Sequence, residues 1–352
     1  MKKIALFLPY FLFLSCTIRP ITKNDFFTQK ALLPKEESVH YKNSVEWWYL
    51  TGNLKDVNSE NTYGVEYVFF HFNPLGMKDY LMGNFAITNP NDSTFHYDYV
   101  IQRQKKHLDT NSNLNLSIQH KNRDWFFSGS EGFYSIGAKM KNQYDNEILL
   151  KTKPKAPVSL YRDSGYEQYG NKGKAGYYSY PALEAKGKLF LNNKWVKVKG
   201  DLWYDRQWNC GNLITNKVGW NWISITLDNG QKFMTYKVFN RNNDETVSSV
   251  ACIDENSKTL HFDDKDMKLN ALEYWKSPHS KKKYPIKWQL IIPSKNYNMV
   301  ITPLLKDQEL QLKFYNIANL FYWEGMCKVE ADINGEKING RAYLEMYNHK
   351  KK

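Results

Sequence analysis

The sequence predicts an all-β protein in which antiparallel strands form a sandwich or a barrel. Aromatic residues make up 16% of the 352 residues, with 25 Tyr and 11 Trp, and aromatic side chains favour strands over helices. Short runs of alternating apolar and polar residues recur, separated by turn sequences such as NPND, DNG and ING. A chain of this length accommodates two domains, or one large β domain with extensions.

The alternating runs place the strands in order along the chain. They are VEWWYLTGNL (45–54), YGVEYVFFHF (63–72), LMGNFAIT (81–88), NLNLSI (113–118), WVKVKGDLWY (195–204), WNWISITL (220–227), IKWQLII (286–292) and KINGRAYLEMY (337–347). Side chains alternate between the two faces of a strand, so Trp47 and Tyr49 share one face of the first run. Glu46 and Trp48 share the other face. We therefore expect one tryptophan to fill a core while its neighbour lines a different surface.

Two pairs of segments suggest an internal repeat. VEWWYLTGNLKD (45–56) resembles GWNWISITLDNG (219–230), and VKGDLWYD (198–205) resembles INGRAYLE (338–345). Each half of the chain would open on a tryptophan-rich strand and close on a strand that follows Val/Ile-x-Gly. Chance similarity among aromatic-rich strands is the alternative.

The N-terminus has the pattern of a secretory signal. Lys2 and Lys3 precede an apolar stretch from Ile4 to Leu14, which is shorter than the roughly 20 residues that span a bilayer. The following Leu-Ser-Cys resembles the lipobox of bacterial lipoproteins, so we expect a signal peptide over 1–15 and lipid on Cys16. Residues 16–38 would then be a tether to the cell envelope, at the outer membrane on its periplasmic or surface face. An ordinary cleaved signal with an incidental cysteine is the alternative.

Charge and cysteine content exclude several classes of function. The formal charge of +13 falls to +11 when Lys2 and Lys3 leave with the signal, and the interspersed carboxylates indicate a solvated basic surface without a nucleic-acid partner. After Cys16 the chain has Cys210, Cys252 and Cys327, an odd number that cannot pair completely. No Cys-x-x-Cys or His-x-x-x-His spacing suggests a metal site. We expect a monomer without metal or cofactor.

A set of short motifs resembles, in its order, the AttH-like proteins, also called the carotenoid 1,2-hydratase or hydroxyneurosporene synthase family. The motifs are HYKNSVEWWY (40–49), YYSY (177–180), DRQW (205–208), WKSP (275–278), YPIKW (284–288), QEL (308–310), YWEG (322–325) and GRAYLE (340–345). The resemblance covers roughly residues 38–348. It implies two tandem lipocalin-like β-barrel domains, over 39–212 and 213–350, with an apolar ligand site. Characterised relatives add water to alkenes in isoprenoids or isoflavonoids, and related fungal proteins assist pericyclic ring closures.

One position departs from the pattern of these relatives. Where they have Asp-His-Glu-Trp or Asp-His-Gln-Trp, this chain has Arg206 in place of the histidine. A guanidinium is always charged, so proton exchange by an imidazole at this position is lost. His71 lies where an arginine often follows the phenylalanines in relatives. A compensating exchange of arginine and histidine is therefore one hypothesis.

Alkene hydration needs an acid that protonates carbon, surroundings that tolerate a carbocation, and a positioned water. Glu46, Asp205 and Glu324 each lie close to Trp or Tyr in the sequence, and burial would help such a carboxyl group retain its proton. The alternative for each is a structural carboxylate that accepts a Trp N–H bond or pairs with arginine. The expected ligand-binding residues are Trp47, Trp48, Tyr49, His71, Tyr178, Arg206, Gln207, Trp208, Trp222 and Trp323. We expect the site around Trp47, Trp48 and Trp208, with Arg206 either at its rim or neutralising Asp205 and Glu46.

Three functions remain open from the sequence. The first is a membrane-anchored protein that binds an apolar small molecule, a lipid or an isoprenoid. The second is a cofactor-independent hydro-lyase, isomerase or cyclase acting on an isoprenoid-type alkene. The third is a structural envelope protein without a ligand, which barrels filled by their own side chains would favour.

Overall fold

The computed structural model describes most of the chain after residue 29. The described residues are 30–41, 43–73, 79–104, 113–119, 124–141, 145–169, 173–211, 213–214, 217–241, 246–254, 258–314 and 318–350. The expected signal peptide and Cys16 lie outside them. No helix in this part of the chain is long and apolar enough to cross a membrane.

Strands dominate the described residues, and they form two antiparallel sheets that each curl into a barrel. The first sheet contains β1 (Val45–Asp56), β2 (Thr62–Phe72), β3 (Tyr80–Asn89), β4 (Thr94–Arg103), β5 (Leu114–Gln119), β6 (Asp124–Ser130), β7 (Phe133–Lys139), β8 (Glu147–Pro154), β9 (Ser159–Leu160), β10 (Tyr166–Gln168), β11 (Lys174–Leu191) and β12 (Lys194–Trp208). The second contains β13 (Val218–Leu227), β14 (Lys232–Asn240), β15 (Thr246–Ile253), β16 (Thr259–Asp263), β17 (Lys268–Lys276), β18 (Lys283–Ile292), β19 (Tyr297–Pro303), β20 (Glu309–Phe314), β21 (Ala318–Ile333) and β22 (Glu336–Tyr347). Short 3-10 turns cover Lys35–Glu37, Tyr161–Asp163 and Pro293–Lys295. The prediction of an all-β chain with two tandem barrels is confirmed.

The two sheets share one arrangement at their centres. In the first sheet the opening strand β1 pairs with the closing strand β12, and in the second β13 pairs with β22 in the same way. The segments that suggested an internal repeat are these four strands. The repeat therefore corresponds to one strand pair at the same place in each barrel.

Aromatic side chains fill the interior of the first barrel. The buried rings are those of Trp48, Tyr67, Phe69, Phe85, Trp125, Phe127, Tyr134, Tyr178 and Tyr204. The Tyr67 hydroxyl donates across the barrel to the carbonyl oxygens of Phe126 and Gly137, at 2.7 and 2.8 Å. The second barrel is filled mainly by aliphatic side chains such as Ile223, Ile286 and Leu344.

Residues before β1 belong to the first barrel. Ala31, Glu37 and Val39 are buried, and Ala31 and Val39 join the aromatic core. The described part of the expected tether, residues 30–38, is therefore packed against the barrel instead of forming a free spacer. Arg206 and Trp48 hold this segment through its backbone carbonyls.

The outer faces of the two barrels meet in a second, interdomain core. Apolar side chains of both barrels form it; the main members are Tyr49, Val68, Tyr177, Trp203, Trp222, Met234, Tyr236 and Val238. A smaller cluster brings Met82 and Ala86 against Leu310, Leu312 and Tyr322. The domains are thus joined by buried apolar surface as well as by the chain.

Candidate functional site

Strand β1 sends its aromatic residues to two different places, as the alternation predicted. Trp48 points into the first barrel, opposite Arg206 of β12 and Phe69 of β2. Trp47 points outward to the interdomain core, where it stacks on Trp220 with ring centroids 6.4 Å apart. The ligand site expected around Trp47, Trp48 and Trp208 is therefore not one site, because adjacent strand residues face opposite ways.

Glu46, His40, His71 and Arg206 form an ionic network at one end of the first barrel, called here the Arg206 network. The Arg206 Nη2 lies 2.5 Å from Glu46 Oε2, and neither side chain is exposed. His71 Nδ1 lies 2.9 Å from Glu46 Oε1, and His40 Nδ1 lies 2.9 Å from Oε2. Burial alone would raise the pKa of Glu46, but the Arg206 charge and the two histidine hydrogen bonds hold it well below its usual range. Glu46 is thus an ionised structural carboxylate in this geometry, and a poor proton donor.

Arg206 also fastens the segment that precedes β1. Its guanidinium donates to the carbonyl oxygens of Glu36 and Ser38 at 3.1 and 2.8 Å, and it lies over the Trp48 ring at 4.1 Å. The Trp48 indole donates to the Glu37 carbonyl at 2.8 Å. Two roles were expected for Arg206, a place at the rim of the ligand site or neutralisation of Glu46 and Asp205. In the structure Arg206 neutralises Glu46 and does not contact Asp205. Asp205 lies on the opposite face of β12.

The His71 and Arg206 positions are joined through one carboxylate, since each binds a different oxygen of Glu46. An arginine at 71 and a histidine at 206 would face the same carboxylate. The geometry is therefore compatible with a compensating exchange between these two positions.

Four carboxyl groups meet between the barrels, three of them buried and the fourth, Glu345, half-buried, and we call them the interdomain acid cluster. They are Glu66 of β2, Asp205 of β12, Glu324 of β21 and Glu345 of β22. Glu324 and Glu345 are direct cross-strand partners. If both carboxylates were ionised, their repulsion would destabilise the sheet. None of the four forms an ion pair within the described residues. Each must therefore be neutral, or hydrogen bonded, to be tolerated at this depth.

Aromatic donors supply most of these hydrogen bonds. The Tyr49 hydroxyl donates to Glu324 Oε2 at 2.9 Å, and the Trp220 indole donates to Glu345 Oε1 at 2.8 Å. Asp205 accepts from the Tyr177 hydroxyl, and from Ser179 Oγ and Trp203 Nε1 at 2.6 Å each. The carboxyl oxygens of Glu66 have no side-chain partner within the described residues.

Burial raises the pKa of every member of the cluster. The pKa of Asp205 rises to about 6 despite its hydrogen bonds, and that of Glu345 rises to about 7, with the charge of Asp205 contributing. The pKa values of Glu66 and Glu324 lie well above their usual range, first through burial and then through neighbouring carboxylates. Near neutral pH the cluster therefore contains both protonated acids and groups able to accept a proton.

A cleft of about 320 Å³ opens between the barrels beside this cluster. Its buried lining residues include two large rings, Trp203 at 3% exposure and Tyr343 at 1%. Trp203 is hydrogen bonded to Asp205, and the charges of Glu324 and Glu66 help to raise the pKa of Tyr343. These two rings form the part of the cleft wall that adjoins the acids. A second cleft of about 360 Å³, near His279 and Glu309, also lies between the domains but away from the cluster.

The structure divides the other sequence-predicted residues among three places. Tyr178 and Trp208 lie in the first barrel, and Trp323 fills the second, where its indole donates to the Lys306 carbonyl. Gln207 and Trp222 lie between the domains and donate to Tyr169 and Tyr177 hydroxyls, at 2.6 and 2.9 Å. Asp205 and Glu324 are brought together, whereas Glu46 is not.

Sequence reasoning missed Glu66 and Glu345. The available signal was a single glutamate inside a strand whose same-face neighbours are apolar, as in YGVEYVFF, where Glu66 shares a face with Val68 and Phe70. Such a residue is either exposed on an edge or buried as an acid.

No group of three or more His, Cys, Asp or Glu residues within the described ranges has the geometry to hold a metal ion. Cys210, Cys252 and Cys327 are free, and burial raises the pKa of each thiol. These thiols are therefore poor nucleophiles.

The fold and its interdomain cleft define a protein of two lipocalin-like β-barrels. The sequence matches the model of the AttH-like family over residues 27–349, and the chain belongs to this family. A crystal structure of a candidate AttH protein from Nitrosomonas europaea is similar, with 23% identity, a TM-score of 0.78, and coverage of 92% of this chain and 98% of that one. Kievitone hydratase from Nectria haematococca is similar at 15% identity and a TM-score of 0.69, covering 92% and 94% of the two chains. Among curated protein sequences, none matches this chain.

Proposed function

We propose that the protein is a cofactor-independent hydratase or isomerase that protonates an alkene at the interdomain acid cluster. The observation that supports this most is a set of four carboxyl groups beside a cleft, three of them buried and Glu345 half-buried, with raised pKa and no ion-pair partner within the described residues. Structural carboxylates usually occur with a cation, as Glu46 does. Perturbed carboxyl groups beside a cleft are typical of functional sites.

The chemistry follows from the state of these acids. A protonated carboxyl group transfers its proton to one alkene carbon, which leaves a cation on the adjacent carbon and a carboxylate on the protein. The ring faces of Trp203, Trp222 and Tyr49 surround this region and stabilise the positive charge. A water then attacks the cation, and its surplus proton restores the acid. Loss of a different proton from carbon gives the isomer instead.

Asp205 and Glu345 are the residues best suited to this exchange. Their pKa values of about 6 and about 7 lie close to neutral pH, where proton donation and acceptance are both effective. Trp203 brings Asp205 next to the cleft, and Tyr343 has the corresponding place on the other barrel.

The relatives make this class of reaction a reasonable proposal. Kievitone hydratase shares the fold, and its name describes addition of water. Because aromatic side chains fill the first barrel, the proposal puts the ligand in the cleft between the barrels instead of in a barrel lumen.

Deuterium incorporation tests the proposal. The full chain is incubated in D₂O with an isoprenoid alkene such as farnesol, and deuterium in recovered alkene or hydrate is measured by mass spectrometry. We expect incorporation by wild type and a loss of at least about 100-fold in Asp205→Asn or Glu345→Gln, since general acid catalysis contributes about that much. Glu309→Gln, which changes a buried glutamate near the second cleft, is the matched control and should incorporate as wild type does.

Binding of the apolar molecule without conversion is the second candidate, supported by the cleft itself. Saturable quenching of tryptophan fluorescence by farnesol, without deuterium incorporation across a panel of isoprenoid alkenes, would refute the hydratase and establish this function.

We also propose that lipid on Cys16 holds the mature protein at a membrane of the cell envelope. The support is the Leu-Ser-Cys sequence that follows the apolar segment Ile4–Leu14. Wild type should fractionate with membranes and Cys16→Ser should not. Membrane association unchanged by this substitution would refute the anchor.

A further inference from the structure

The two walls of the cleft are built from equivalent strands, and each has the same order of positions from rim to acid. On β22 the residues Arg341, Tyr343 and Glu345 share one face. Arg341 lies at the exposed rim, Tyr343 forms the inner wall and Glu345 belongs to the acid cluster. Each step is two residues of extended strand, so the rim and the acid are roughly 13 Å apart along the strand.

On β12 the corresponding positions are Asp201, Trp203 and Asp205. The rim residue of this wall is an acid, and Lys155 neutralises it at a distance of 2.9 Å. The two walls therefore differ in charge at the rim, although they match in the ring and acid behind it.

The rim of the second barrel carries cations that have no ion-pair partner within the described residues. Arg341 and Lys232 are both direct cross-strand neighbours of Thr226, one on each side, and all three line the cleft. The Lys232 ammonium donates to the Gly230 carbonyl at 2.9 Å. Burial lowers the pKa of Lys232. The charge of Asp201, across the cleft, raises this pKa, and the charge of Lys155 lowers it further. Asp228 is the other charged residue of the lining.

We propose that the ligand is an amphiphile whose anionic head, a carboxylate or a phosphate, binds Arg341 and Lys232 at the cleft rim while its unsaturated apolar tail extends past Tyr343. This inference rests on the proposed function for the fate of the tail, but the binding of the head stands on the rim alone. Two cations that flank a partly buried threonine, neither with an ion-pair partner among the described residues, form a site for a charge-assisted hydrogen bond to an anion. The rim also fixes which end of the molecule enters first, since only the tail can reach the acids.

The experiment compares three probes that share one tail: farnesyl phosphate, farnesoic acid and the neutral alcohol farnesol. Affinities for the full chain are measured by tryptophan fluorescence and repeated at low and high salt. We expect both anions to bind about tenfold more tightly than farnesol, as one or two charge-assisted hydrogen bonds would give, and the preference to fall with salt. A preference for phosphate over carboxylate, or the reverse, identifies the head group.

The double variant Lys232→Gln/Arg341→Gln should reduce the anion preference to below about threefold and leave farnesol affinity unchanged. The matched control is Lys328→Gln. Lys328 lies in the same cross-strand row, opposite Arg341, but it pairs with Glu330 at 3.4 Å and does not line the cleft. Lys328→Gln should retain the full preference.

Equal binding of the three probes by wild type, or an anion preference that survives in the double variant, would overturn the proposal. The failure of the proposed chemistry is separable. If the protein prefers the anionic probes but incorporates no deuterium, the hydratase is refuted and the anion site is retained. If it incorporates deuterium from farnesol but has no preference for the anions, the hydratase is retained and the anion site is refuted.

Discussion

Glu46 is a buried glutamate and Glu345 a half-buried one, both on central strands, and their surroundings give them opposite properties. Glu46 contacts Arg206, His40 and His71, and its pKa lies well below the usual range. Glu345 faces other carboxyl groups and an indole, and its pKa rises to about 7. Burial penalises the charged form in both places. What differs is whether a cation lies beside the acid, so the charge partner separates an acid that is ionised from one that retains its proton near neutral pH.

Removal of the cation from the Arg206 network should have the largest effect on stability. Arg206→Ala leaves the Glu46 charge buried with only histidines and releases the carbonyls of residues 36 and 38, so we expect a loss of about 3–5 kcal/mol in the free energy of unfolding. Urea unfolding followed by circular dichroism measures it. Arg341→Ala, at an exposed position, is the control and should cost less than about 0.5 kcal/mol. A loss below about 1 kcal/mol for Arg206→Ala would break the comparison.

The acid cluster should make stability fall as pH rises. The pKa of Glu345 is about 7 in the folded chain against the usual 4.5, so between these values the folded state holds a proton that the unfolded state has released. This proton contributes about 3 kcal/mol to the free energy of unfolding. The contribution is fully present below pH 4.5 and is lost as the pH rises through 7. Urea unfolding from pH 4.5 to 8 should show this decline, and Glu345→Gln should flatten it. A slope unchanged by Glu345→Gln would show that the fold tolerates this charge by other means.

Substitution of Tyr49 should have the smallest effect on stability, and it tests the role of a single acid, Glu324. Tyr49→Phe removes the hydroxyl that donates to Glu324 and leaves the edge contact of the ring with Trp222, 5.5 Å away between centroids. We expect a loss of about 1 kcal/mol at neutral pH. Deuterium incorporation should also change its pH profile, because the pKa of Glu324 rises further without this donor. An unchanged profile would place Glu324 outside the proton transfer.

The strands, the faces of their side chains and part of the candidate site could be predicted from the sequence. Period-two alternation correctly separated Trp47 and Tyr49 from Glu46 and Trp48, because side-chain direction in a strand is a local property. It could not identify the partners of Glu46, since Arg206 reaches it through the register between β1 and β12. Nor could it gather Glu66 with Glu324 and Glu345, because docking of two separate sheets brings those residues together. Strand pairing and the docking of sheets depend on residues far apart in the sequence. They produce no periodic pattern from which contacts could be predicted.

The matching strands β12 and β22 imply that neither barrel holds a complete site. Separated from its neighbour, each barrel would expose its two acids to water, where a carboxyl group has an ordinary pKa and is ionised near neutral pH. The raised pKa values of these acids therefore depend on the docking of the two barrels, because neither barrel alone removes them from water.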